Sequence, residues 1–180
     1  MVKILRLLAM TWVLSGISSG TLYAADQLDE YRLNTGDKIK IYVYGEPDMD
    51  VETRLASSGD IRYPFLGKIH VSGLSVAELE HKITRALKDG YFVDPQVRVS
   101  VEEFRPFYVN GEVKKPGDYP YKPGMTYRMA ISMAGGMKER GDENKVFVIH
   151  EGKGNQAIKV TDLDSEMNPG DVITVKQSFF

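Results

Sequence analysis

Between Lys38 and Tyr44 the chain alternates: Ile39, Ile41 and Val43 fall on one side, Lys38, Lys40, Tyr42 and Tyr44 on the other. A period of two predicts a half-buried strand. "GEPDMD" ends it, because Pro47 has no N–H to give to a ladder. Residues 51–73, "VETRLASSGDIRYPFLGKIHVSG", predict short strands about a turn at Ser58-Gly59-Asp60, with Ile61, Phe65, Ile69 and Val71 as the buried set. The period then lengthens. Val76, Leu79, Ile83, Ala86 and Leu87 recur at helical spacing, Ser75 and Glu78 form a capping box, and Gly90 stands as the C-cap, so a helix is predicted over 76–88. Val97, Val99 and Val101 alternate with Arg98, Ser100 and Glu102 as a further strand.

The pattern restarts at Pro106. Phe107, Val109 and Val113 predict a strand kinked at Gly111, and "KKPGDY" a turn. Residues 124–136 predict a second helix, capped by Thr126 and ended by Gly135-Gly136. A hairpin with its tip at 152–156 follows, and "NPGDVITV" is the last strand. The expected fold class is α+β: a small mixed sheet with one helix over 25–104, followed by a β-grasp unit over 105–180.

One phrase is written three times: "NTGDKIKIYV" at 34–43, "KPGDYPY" at 115–121 and "NPGDVITV" at 168–175. Glycine tolerates a left-handed turn, and aspartate can hydrogen-bond its own backbone there. The phrase therefore reads as the joint that starts strands, not as chemistry. Its unequal spacing excludes a solenoid.

Residues 1–24 belong to another class of sequence. Lys3 and Arg6 precede an apolar stretch and then small residues, the order of a secretory signal peptide, with cleavage after Ala24 or Ala25. Losing them would leave 21 basic against 25 acidic residues. Such a balance offers no basic stripe for nucleic acid. With no cysteine in the chain, disulfides, thiol catalysis and a lipidated N-terminal cysteine are all excluded.

Candidate chemistry is sparse. Gly73-Leu74-Ser75-Val76-Ala77 lacks the last glycine of a nucleophile elbow, and Ser75 already serves as a cap. His70, His81 and His150 have no ligand or base at motif spacing and read as surface or edge positions. The pairs Asp48/Asp50 and Asp162/Asp164 read as solvated loop carboxylates, and "GMKERGDENK" has no Lys-Ser/Thr to complete a phosphate loop. No catalytic, cofactor or metal site is expected. The terminal Phe179 and Phe180 hint at packing or an interface.

The order of phrases carries more. "YRLNTGDKIKIYVYGEPDMD", "SSGDIRYPFLGKIHVSGLSVAELEHKITRAL" and "DPQVRVSV" resemble the polysaccharide export domain of the Wza-type outer-membrane polysaccharide export family. "FYVNGEVKKPGDYPYKPGMTYRMAISMAGG" resembles the SLBB β-grasp module that follows it. Residues matching the family pattern are Gly36-Asp37, Gly59-Asp60, Pro64 with Gly67, Gly73, Pro95, Gly111, Pro116-Gly117 and Gly135-Gly136. The resemblance implies a non-catalytic part of a capsule or exopolysaccharide export machine, a homo-oligomeric ring that conducts the polymer. It also implies docking on an inner-membrane polysaccharide co-polymerase. No lipobox cysteine, second β-grasp module or C-terminal pore helix is found, so the expected form is a periplasmic ring or adaptor working with a separate outer-membrane barrel. Lys38, Lys40, Tyr42, Tyr44 and the Arg62/Tyr63 turn are candidate lumen or subunit contacts. The alternative is a periplasmic module that binds a soluble oligosaccharide or peptidoglycan fragment.

Overall fold

The computed structural model describes residues 31–152 and 154–178. The leader with its cleavage at Ala24 or Ala25, and the Phe179-Phe180 pair, lie outside the described residues.

The predicted first strand is β1 (Lys38–Val43), the middle of a three-stranded antiparallel sheet between β2 (Val51–Arg54) and β5 (Val97–Glu103). Its alternation sets the faces: Ile39, Ile41 and Val43 are buried, and Lys40, Tyr42 and Tyr44 exposed. The helix, α1 (Val76–Lys88), has the predicted bounds and both halves of the capping box. Leu79, Ile83 and Leu87 form its buried stripe and share one core with the inward residues of β1 and β5.

Residues 51–73 depart from expectation. The Ser58-Gly59-Asp60 turn does not fold β2 onto the next strand, because β2 pairs with β1. Instead β3 (Asp60–Tyr63) and β4 (Gly67–His70) form a separate hairpin, with Ile61 opposite Ile69 and Tyr63 opposite Gly67. That register puts the tip at 64–66, so Phe65, expected in the core, is 66% exposed at φ 60°. Tyr63, expected at a contact surface with Arg62, faces inward with Ile61; its hydroxyl donates to the Met49 carbonyl at 3.0 Å.

The second unit comprises β6 (Phe107–Gly111), β7 (Gly117–Tyr119), α2 (Tyr127–Met133), β8 (Gly141–Ile149), β9 (Ile158–Lys159) and β10 (Val172–Gln177). Strand order is β7-β6-β10-β8-β9, with the final strand inserted parallel to the first, the β-grasp arrangement. Phe107, Val109, Val146, Val148, Ile173 and Val175 bury one sheet face in a core shared with Ala130 and Ile131 of α2. The helix is shorter than 124–136: Thr126 caps it, accepting the Met129 N–H at 3.3 Å, and it stops before Gly135 and Gly136, at φ 80° and 81°. Gly111 ends β6 opposite Val175 of β10. A Cβ there would overlap the Val175 carbonyl oxygen, so only glycine lets the parallel pair close.

Candidate functional site at the junction of the two units

Two copies of the repeated phrase fold alike. In Asn34-Thr35-Gly36-Asp37 the Asp37 N–H donates to the Asn34 carbonyl (3.1 Å), and the Asn34 N–H donates to the Asp37 carboxylate (2.8 Å). In Asn168-Pro169-Gly170-Asp171 the matching distances are 3.3 and 2.9 Å. The glycines take φ 94° and 83°, a region side-chain-bearing residues avoid. β1 and β10 begin directly after the two turns. The middle copy differs: Gly117 is not left-handed, and Asp118 is exposed on edge strand β7.

Both turn carboxylates are fully buried, so each needs partners. Asp37 accepts the Tyr31 hydroxyl at 2.5 Å, the Arg105 backbone N–H at 2.8 Å and the Arg105 guanidinium at 3.1 Å. Asp171 accepts the Tyr127 hydroxyl at 3.4 Å and is paired with Nδ1 of His150 at 2.8 Å. Burial first, and the adjacent carboxylate second, push the hydroxyls of Tyr31 and Tyr127 well above the ordinary tyrosine range.

Arg105 joins the two arrangements. It pairs with Asp37 of the first unit and through Nε with Glu151 of the second, and Nη1 donates to the Tyr31 hydroxyl at 2.6 Å. The turn glycines make room for it. A Cβ on Gly36 would stand 3.1 Å from Arg105 Cβ, and one on Gly170 would lie 2.9 Å from Arg105 Nε and overlap the Glu151 carboxylate. Tyr31, Phe104 and Tyr121 continue the junction as edge-to-face rings, with centroids 5.0 and 5.6 Å apart. A cleft of about 670 Å³ opens beside Arg105, lined by Thr35, Tyr108, His150, Glu151, Asn155 and the turn glycines.

Of the residues that match the family pattern, only Gly36 and Asp37 reach this junction; His150 and the Gly170-Asp171 turn reach it as well. Gly59 packs beneath Ser72, and Asp60 pairs with Lys68 and His70, which hold its carboxyl below the usual range. Pro64 and Gly67 flank the β3–β4 tip, Gly73 precedes the Ser75 cap, and Pro95 is buried ahead of β5. Pro116 and Gly117 lead into β7. Arg105, Tyr31 and Glu151 carried no signal in the sequence. His150, read as a surface or edge position, is a mostly buried partner of Asp171. The carboxylate pairs serve local structure: Arg128 grips Asp164 at 2.7 and 3.1 Å, and Asp162 accepts the Asp164 N–H. Among the described residues no group of three or more His, Cys, Asp or Glu could hold a metal ion, and no helix is long and apolar enough to cross a membrane.

Residues 25–102 match the polysaccharide biosynthesis/export protein family, and residues 106–161 match the SLBB domain. The chain is 31% identical to the exopolysaccharide production protein ExoF of Rhizobium meliloti, over 66% of its own length and 31% of that protein's. It is 32% identical to the EPS I polysaccharide export outer membrane protein EpsA of Ralstonia solanacearum, over 68% and 40% respectively. It is 30% identical to the polysialic acid transport protein KpsD of Escherichia coli, over 66% and 22%. The chain thus spans well under half the length of these relatives. The two matched segments meet in the stretch that holds Arg105, and their order is the order of the two cores. The chain thus joins an α+β segment that matches the polysaccharide biosynthesis/export protein family to a segment that matches the SLBB domain.

Proposed function

We propose that the protein is a non-catalytic component of a capsule or exopolysaccharide export machine, a periplasmic ring or adaptor associated with the outer membrane. The observation that carries this reading is the clamp at Arg105, which ties the export domain to the SLBB domain through the buried Asp37 and through Glu151. A conduit assembled from repeated subunits needs each subunit to hold one shape, and a desolvated, multiply bonded arginine supplies that stiffness. The named relatives favour it too, being an exopolysaccharide production protein, a polysaccharide export outer membrane protein and a polysialic acid transport protein. In this reading the polymer passes through the ring, an inner-membrane polysaccharide co-polymerase supplies it, and a separate outer-membrane barrel completes the path.

Deleting the gene and measuring surface polysaccharide tests the reading. Polymer should disappear from the surface and return with the intact gene, and the purified protein should show concentration-dependent rings by light scattering. A strictly monomeric protein, with surface polymer intact in the deletion strain, would overturn it.

A further inference from the structure

Apolar surface collects at one end of the export domain. Phe65 stands at the β3–β4 tip, and its ring packs on Tyr91, the centroids 5.4 Å apart. Tyr91 follows the C-terminal end of α1, where its N–H donates to the Leu87 carbonyl at 3.2 Å. Val93, two residues on, is 97% exposed. Two neighbouring loops thus present an apolar knob. Phe65 holds it at φ 60°, a left-handed position that glycine takes with ease and phenylalanine does not. A turn that served folding alone is better made by Gly or Asn. Strain kept under an exposed aromatic ring points to a contact outside the chain.

The other end of α1 carries a matching hollow. Val76, Ala77, Val101, Phe104 and Pro123 line an apolar groove of about 360 Å³ that crosses from the export domain to the SLBB domain. This end of α1 lies on the junction side, where the Leu33 N–H donates to the Leu74 carbonyl at 2.9 Å. The helix has 13 residues, so its two ends are about 20 Å apart. The knob of one molecule therefore does not reach its own groove. Charges beside the two features differ in sign. Arg62 and Lys68 face each other behind the tip, and Arg62 has no partner among the described residues. Glu80 lines the groove, and Glu102 accepts the Ser100 hydroxyl at its edge. Lys122 belongs to the other end, beside Pro123.

We infer that the Phe65 knob of one copy of this chain seats in the groove between α1 and β5 of the next copy. This deepens the ring reading of the proposed function and rests on it. A contact between two unlike surfaces leaves a free knob and a free groove at the ends of each pair, so it repeats until the ring closes. Because Pro123 lines the groove, the contact also spans the two units that Arg105 joins. Each copy then accepts the next only with its two units held in one arrangement.

The test mixes two variants of the purified protein in sedimentation velocity. Phe65→Gly removes the knob and suits the left-handed φ, and Phe65→Asn should behave like it. Ala77→Gln lays a polar side chain in the groove and keeps a good helix former. Each variant alone should raise the concentration at half-assembly by more than about tenfold, while the thermal midpoint of the dilute monomer stays unchanged. An equimolar mixture of Phe65→Gly and Ala77→Gln should form a one-to-one pair that grows no further, because one intact knob meets one intact groove. Met129→Ser, on the exposed side of α2, should assemble like the unaltered protein. Assembly that survives the Phe65 or Ala77 substitutions, or a mixture that forms no pair, would overturn the inference. So would flotation of the unaltered protein with phosphatidylethanolamine–phosphatidylglycerol vesicles that Phe65→Gly abolishes while assembly persists, an outcome that gives the knob to a lipid surface. The deletion strain separates the two readings. Lost export with both variants still assembling removes this contact alone; intact export removes the export reading whatever assembles.

Discussion

Arg105 reaches back along the chain to bond Asp37 twice, with its backbone N–H at 2.8 Å and its guanidinium at 3.1 Å. The first bond fixes the path of the chain as it leaves β5, and the second neutralises a carboxylate that water does not reach. Since Arg105 also holds Glu151, one side chain sets how the export domain meets the SLBB domain.

Removing Arg105 leaves Asp37 as an unpaired charge away from water; removing Asp37 leaves Arg105 its Glu151 partner but takes the acceptor from the Tyr31 hydroxyl and the Asn34 and Arg105 N–H groups. Arg105→Ala or Asp37→Ala is expected to lose about 3–5 kcal/mol of stability, read from urea denaturation. A double substitution should cost clearly less than the sum of the singles. Additive losses would mean that the pair does not act as a unit.

The three copies of the Gly-Asp phrase should respond differently to the same change. Gly36→Ala and Gly170→Ala each force a side chain into a left-handed position and against the Arg105–Glu151 group, at a cost of at least about 1–2 kcal/mol. Gly117→Ala has neither problem, since its φ is ordinary and a Cβ there meets nothing within 4 Å. Its thermal midpoint should stay near that of the unaltered protein.

At the start of α1, Ser75 accepts the Glu78 N–H at 3.1 Å while Glu78 accepts the Ser75 N–H at 2.8 Å. Ser75→Ala should cost about 1 kcal/mol, and Ser75→Asp, which keeps an acceptor oxygen, should recover most of it. Equal losses in the two variants would argue against the cap as the source.

Stability should decline on the alkaline side. The hydroxyls of Tyr31, Tyr63 and Tyr127 are all raised, chiefly by burial and then by Asp37, Asp50 and Asp171 respectively, Tyr63 to about 12. A raised value means that the fold holds the proton more tightly than the unfolded chain does. The resulting stability is complete below the ordinary tyrosine value, about 10, and is lost as pH rises through the folded values. Thermal midpoints should therefore fall above about pH 10. Tyr63→Phe, which removes one of the three groups, should shallow that fall; an unchanged alkaline slope would exclude Tyr63 as a contributor.

The sequence by itself determined what depends on neighbours along the chain. The period of two gave β1 its faces, the period near four gave α1 its buried stripe and bounds, and the order of phrases pointed to the family. It also showed that Gly36-Asp37 and Gly170-Asp171 are turns, because a left-handed glycine and a self-bonding aspartate are local devices. Tertiary structure alone decided which residues those aspartates would meet. Arg105 and His150 lie far from their partners in sequence, and an arginine or histidine that ends beside a buried carboxylate looks, in sequence, like any other on the surface. Phe65 and Tyr63 make the same point in reverse: both are aromatic and sit close together in the chain, yet one reached the hairpin tip and the other the core. Strand register made that choice: with Tyr63 opposite Gly67, Phe65 stands at the hairpin tip, and its neighbour Leu66 packs against the core instead.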